Sequence, residues 1–100
     1  MNVRILRSAT RTLAEGIRFY ERQQAGLGAY FLTSIMSDLR SLRTTGGSHQ
    51  KFNDSYQRMI CRKFPYSIYY QSDGSKVNVF AVLDDRRDPE WIKEMLGRLA

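Results

Sequence analysis

The segment "KFPYSIYYQSDGSKVNVFAV", Lys63 to Val82, constrains the fold more than any other part of the chain. Two apolar runs flank Asp73-Gly74, a dipeptide suited to the positive φ angles of a tight hairpin turn. On the first run Tyr66, Ile68 and Tyr70 point one way, while Phe64 and Tyr69 are read onto the other face with Ser67. On the second, Val77, Val79, Ala81 and Leu83 form one set and Phe80 and Val82 the other. A strand apolar on both sides belongs inside a sheet with both faces covered.

The rest of the chain must supply those covers. "NVRIL" is a short opening strand, with Val3 and Ile5 alternating against Arg4. Ser8 or Thr10 can cap a helix from about Ala9 to Gln24, whose apolar stripe is Ala9, Leu13, Ile17 and Tyr20. "AGLG" breaks it, and a second helix runs from Leu27 or Ala29 to about Leu42 on Phe31, Ile35, Leu39 and Leu42. A polar loop, "RTTGGSHQKFNDS", precedes the strand "YQRMICRK"; Pro65 suits the start of the next strand. Asp88 can cap a last helix with Pro89 at its first position and Trp91, Met95, Leu96 and Leu99 on its apolar side.

The predicted order is β-α-α-β-β-β-α, an α+β single domain spanning residues 1–100. Three hairpin-connected strands form an antiparallel sheet packed on an N-terminal helical hairpin. The opening strand adds along an edge, and a short C-terminal helix closes the chain.

With 42% hydrophobic and 26% charged residues, the composition is that of a globular chain. No apolar run is long enough for a bilayer, and one cysteine, Cys61, cannot build a disulfide framework. These features predict a cytoplasmic protein with no membrane association. The net charge is +6, and twelve of the sixteen basic residues are arginine, whose planar fork suits phosphate or carboxylate groups on a partner.

One aromatic face of the sheet is expected on the helical hairpin. The other is expected to be only partly covered by the short last helix. Arg58 and Arg62 fall on one face of the preceding strand and Lys63 on the other. Aromatics interleaved with arginine suit stacking on bases or an acidic amphipathic peptide. The rival reading makes the rings plain core and the arginines a solvated rim.

The blocks "RMICRKFPYSIYY" and "VNVFAVLDDRRDPEW", behind a helical hairpin, give a pattern similar to "RRxxxRFPYxIxYxxxGxxVxVxAVxHxRRDPxxW". Over essentially its whole length the chain resembles the RelE/ParE superfamily of type II toxin–antitoxin toxins, the plasmid stabilisation family. The resemblance implies a growth-inhibiting toxin bound in a hetero-oligomer by an adjacently encoded antitoxin. The RelE branch cuts mRNA at the ribosome without a metal; the ParE branch poisons DNA gyrase without hydrolysis.

Metal-free RNA cleavage needs a base, an acid and cations on the phosphate. Here Ser67 stands where a RelE-like arginine is expected, Asp84 where the family often has His, and Trp91 where a tyrosine could serve. A nuclease would have to work with Arg62, Lys63, Tyr70, Arg86 and Arg87. Two carboxylates, Asp84 and Asp85, would repel a phosphate there by roughly 1 kcal/mol each. The ParE-like reading is therefore favoured, with no catalytic residue and no cofactor. Arg58, Arg62, Lys63, Arg86, Arg87 and Trp91 are the candidate target contacts, and Tyr66, Tyr69 and Phe80 the candidate antitoxin contacts. A third reading is a non-toxic derivative that only binds a partner.

Three smaller signals take plain readings. Asp84, Asp85 and Asp88 serve as turn, cap and ion-pair residues and not as metal ligands. Cys61 is a buried, inert thiol. His49 is a solvated loop residue.

Overall fold

A computed structural model describes residues 1–99. The hairpin at its centre joins β3 (Tyr66–Asp73) to β4 (Lys76–Asp84). Asp73 pairs with Lys76, so the two-residue turn is Gly74-Ser75, one position later than the Asp-Gly reading. Gly74 has a φ of +57°, while among the described residues none other than glycine has a positive φ. That places glycine at the first turn position, where the positive φ is one that side-chain-bearing residues rarely adopt.

The elements follow the expected order: β1 (Asn2–Ile5), α1 (Arg7–Gln23), α2 (Leu27–Thr45), β2 (Gln57–Ile60), β3, β4 and α3 (Pro89–Leu99). In space the strands run β1-β4-β3-β2, which puts β4 inside the sheet and β1 on its edge. Strands β2, β3 and β4 pair antiparallel, but β1 lies parallel to β4, with Val3 opposite Val77 and Ile5 opposite Val79. The sheet is therefore mixed.

A bulge resets the alternation of β4. Tyr69 pairs with Ala81 and Tyr70 with Val79, so Phe80 is the extra residue. Such a slip swaps every later side chain to the opposite face. Val77 and Val79 accordingly share the helical-hairpin side with Val82, whereas Ala81 and Leu83 lie under α3. The single Val77-Val79-Ala81-Leu83 set read from strict alternation is corrected by this slip.

Helix α1 packs beside the bulge and takes over where β1 ends. Leu6 N–H donates to the Val79 carbonyl at 3.0 Å. Ser8 Oγ donates to the Phe80 carbonyl at 2.6 Å, and Thr12 Oγ1 accepts from Val82 N–H at 2.9 Å. Neither Ser8 nor Thr10 caps α1; Leu6 occupies the cap position with no side-chain bond. Helices α1 and α2 meet closely at Gly28, where a Cβ would fall 2.8 Å from the Ile17 carbonyl. The Glu21 carboxylate accepts from both Gly26 and Gly28 N–H, satisfying the start of α2.

Two apolar layers result. Phe31, Ile35, Leu39 and Leu42 of the hairpin pack on Tyr66, Ile68, Tyr70 and Val79. Phe64 belongs to this same side, with its ring 5.0 Å from Phe31 and 4.8 Å from Tyr20. Its placement opposite Tyr66 does not hold, because the chain bends at Lys63–Pro65 before β3 begins. On the other face Ile92 and Leu96 of α3 cover Tyr69, Ala81 and Leu83, with Tyr56 and Phe52 of the loop before β2 completing the seal. Tyr56 Oη donates to the Leu96 carbonyl at 2.9 Å. The second aromatic face is thus closed, not half open: Tyr69 is 0% exposed.

Candidate functional site

Strand and helix ends place the candidate cations, and acids or rings orient them. At the end of β4 the chain turns through Asp84–Asp88 into α3. Arg86 lays its fork on Asp84, with Nε to Oδ1 at 2.9 Å and Nη2 to Oδ2 at 2.8 Å, and its backbone N–H reaches Oδ1 at 2.9 Å. Arg86 Nη2 also reaches Tyr20 Oη at 3.4 Å. Burial pushes the Asp84 carboxyl upward, but the Arg86 contacts outweigh it and hold it below the usual carboxylate range. The bond to Asp84 correspondingly raises Arg86.

Arg87 takes a different support. Its guanidinium carbon sits 3.7 Å from the centroid of the Trp91 ring, a stacked cation–π contact. Trp91 is half-buried, so it both seals α3 and presents Arg87. Glu15, Phe19, Arg22, Asp84, Arg87 and Trp91 border a groove of about 300 Å³ with Tyr66 in its wall. Burial, followed by the Asp84 charge, pushes the Tyr66 phenol up to about 12. It holds its proton at neutral pH and makes a poor base.

Arg62 and Lys63 lie elsewhere. Strand β2 ends at Ile60, short of the predicted "YQRMICRK" run, and the following bend carries Arg62 toward α2. There Asp38, 2% exposed, accepts from Arg62 Nε at 3.2 Å and from its backbone N–H at 3.3 Å. Lys63 Nζ lies 5.4 Å from the Tyr30 ring centroid. Arg58 remains on the α3 face, opposite Tyr69, with its guanidinium 5.8 Å from the Phe52 ring. The six target-contact candidates therefore divide among three places: Arg86, Arg87 and Trp91; Arg62 and Lys63; and Arg58 alone.

The antitoxin-contact candidates fare differently. Tyr66 is 5% exposed and Tyr69 0%, so in this chain they are core, and Phe80 is half-buried against Tyr56. The reading of these rings as an open contact face is corrected: Tyr66 is covered by the helical hairpin, through Tyr20 and Phe31, and Tyr69 by α3 and Phe52. Large apolar side chains that do face solvent include Phe19, Tyr30, Leu32 and Ile60. Tyr69 Oη and Ser67 Oγ are buried without a hydrogen-bond partner among the described residues.

The loop after α2 holds a pair the sequence reading missed. His49 Nδ1 lies 2.6 Å from Tyr70 Oη, and that phenol oxygen accepts from Gly47 N–H at 3.1 Å. His49 is half-buried and not a solvated residue, and burial lowers its pKa. Lys51 and Arg58 line the adjoining cleft. The signal was available: Tyr70 is a buried phenol needing a partner, and the Gly46-Gly47 pair lets the loop fold back. As expected, Cys61 is buried; burial first, then Asp38, pushes its thiol up.

No family model matches this sequence, and no curated protein matches it. The folded chain does match solved structures. It superposes on a chain of "Chromosomal ParDE TA system from P. aeruginosa" with a TM-score of 0.74 at 12% identity. The match covers 82% of this chain and 92% of that one. The protein thus has an α+β fold like that of the matched chain of the ParDE system. The likeness to the ParDE system is one of architecture, carried by element order and shape.

Proposed function

We propose that this protein is the toxin of a type II toxin–antitoxin pair, a single domain that inhibits growth in the cytoplasm by gripping an essential macromolecule. Gyrase-type inhibition is the favoured mode, with an adjacently encoded antitoxin as the neutralising partner and plasmid stabilisation as the setting. The observation carrying this is the ParDE-like fold combined with arginines braced outward by Asp84 and Trp91. Tyr66 beside them, held up to about 12, offers no proton exchange near neutrality. Contacts to the target fall to Arg58, Arg62, Lys63, Arg86, Arg87 and Trp91. With Tyr66 and Tyr69 buried, exposed Phe19, Tyr30 and Leu32 of the helical hairpin replace them as apolar contacts for the antitoxin.

A second reading, the ribosome-dependent mRNA endonuclease, is favoured by the His49–Tyr70 pair beside Lys51 and Arg58. An imidazole whose pKa burial lowers, held beside two cations, is the kind of base RNA cleavage requires. Inducing the chain alone separates the two. Loss of DNA supercoiling without message cleavage supports the first, and codon-phased cuts in translated messages support the second. Arg86→Ala with Arg87→Ala weakens growth inhibition under the first reading. His49→Ala does so under the second.

A further inference from the structure

We infer that the cup between α2 and the bend after β2 binds a terminal phosphomonoester of the size of a nucleoside monophosphate. This goes beyond the toxin reading and stands without it. Tyr30, Thr33, Ser37 and Arg40 recur along α2 at steps of three, four and three, a polar stripe beside the buried Phe31-Ile35-Leu39 stripe. Across from it stand Arg62 and Lys63, and the enclosed space is about 310 Å³. That is the lower end of the volumes typical of small-molecule sites, roughly 300–1,000 Å³.

Most donors of the cup are left without an acceptor. Arg62 has five N–H groups; Asp38 takes Nε–H and Ser37 Oγ accepts one from Nη2 at 3.4 Å, leaving three for a ligand. Asp38 is the only acid in the cup wall, and it is buried behind the arginine that it orients. Arg40 and Lys63 form no salt bridge among the described residues. Thr33 and Ser37 donate their hydroxyl protons to nothing among these residues, whereas Ser34 is engaged with the Tyr30 carbonyl. Three cations against one acid leave a local charge of +2.

A carboxylate brings two oxygens and a single charge, fewer than the donors and the +2 charge of the cup call for. A terminal phosphate has three free oxygens and nearly two charges, which suits them. A backbone phosphodiester has only two free oxygens, and the chain on both sides of it would have to cross the cup. The Tyr30 ring, 49% exposed, gives the esterified group an apolar wall.

The test is a nitrogen–proton NMR titration of the purified chain with adenosine 5′-monophosphate, inorganic phosphate, adenosine and a dinucleotide lacking a terminal phosphate. The monophosphate and inorganic phosphate should move one saturable set of signals at Ser37, Arg40, Arg62 and Lys63, with a Kd below about 1 mM for the monophosphate. Adenosine should move none, and the dinucleotide should bind about tenfold more weakly. A 5′-phosphorylated oligonucleotide that matches the monophosphate assigns the source to an RNA end; one that fails assigns it to free nucleotide. Arg40→Ala and Lys63→Ala should each weaken binding about tenfold, and Arg43→Ala, outside the cup, should not. Absence of saturation, equal binding of the dinucleotide, or equal loss in all three variants overturns the assignment.

Discussion

Thr12 Oγ1 accepts the backbone N–H of Val82 at 2.9 Å across 70 residues of sequence, and the bond is buried. The hydroxyl proton goes to the Ala9 carbonyl at 3.0 Å, so one side chain serves helix and strand together. Thr12→Val keeps the shape and strands a buried N–H, an error that costs about 1–3 kcal/mol. Urea unfolding should show that loss, and Thr12→Ser should recover most of it. Equal stability of Thr12→Val and the parent chain would mean that the bulge does not need this bond.

Tyr69 Oη and Ser67 Oγ present the opposite case, since both hydroxyls are sealed without partners among the described residues. Removing a stranded polar group relieves its desolvation penalty, so Tyr69→Phe and Ser67→Ala should each stabilise the fold by about 1 kcal/mol. Thermal or urea midpoints report the sign directly. A destabilised Tyr69→Phe would show that the phenol has a partner in solution, with the Arg58 guanidinium opposite it as the first candidate.

Cys61 should resist alkylation in the folded chain. It is 6% exposed, and burial followed by the Asp38 charge raises its thiol pKa, so little thiolate exists near pH 8. Labelling with iodoacetamide should follow global unfolding in urea. Rapid labelling in buffer alone would contradict the packing of the β2–β3 bend.

His49 gives stability a pH dependence. Its folded pKa lies below the ordinary value of 6.5, so the unfolded chain binds the proton first as pH falls. The contribution is intact above about pH 6.5 and is lost progressively below it. Proton uptake places a charge in this half-buried site and leaves both ring nitrogens as donors beside Tyr70 Oη, with Lys51 and Arg58 lining the adjoining cleft. His49→Gln should flatten the stability profile between about pH 7 and 5. Amide protection factors in residues 46–51, corrected for the intrinsic exchange rate, should fall on acidification in the parent chain only.

Much of the architecture is legible in the sequence because its signals are local. The helical stripes ending in Tyr20 and Leu42, the glycine turn after Asp73, and the Asp88-Pro89 start of α3 each depend on a few neighbouring residues. Asp88 Oδ1 does accept from Glu90 N–H at 2.9 Å. What escaped depends on distant partners. The Phe80 bulge is specified by Leu6, Ser8 and Thr12, far away in sequence, so alternation alone put Val82 on the wrong face. Ile92 was passed over for Trp91, although Ile92 is the more deeply buried anchor of α3.

The candidate site was legible as residue types more than as places. Arg86, Arg87 and Trp91 do gather, because a short turn after β4 leaves them little choice. Arg62 parted from Arg58 once β2 stopped at Ile60 and Asp38 captured the guanidinium. Asp38 itself gave no warning, being one acid among the buried positions of α2.

The takeover of β4 by α1 has a bearing on self-association. From Phe80 to Val82 the flank that would welcome a foreign strand already spends its carbonyl on Ser8 and its amide on Thr12. An unfolded neighbour finds no ladder to extend there, and aggregation by sheet growth is shut out along that border.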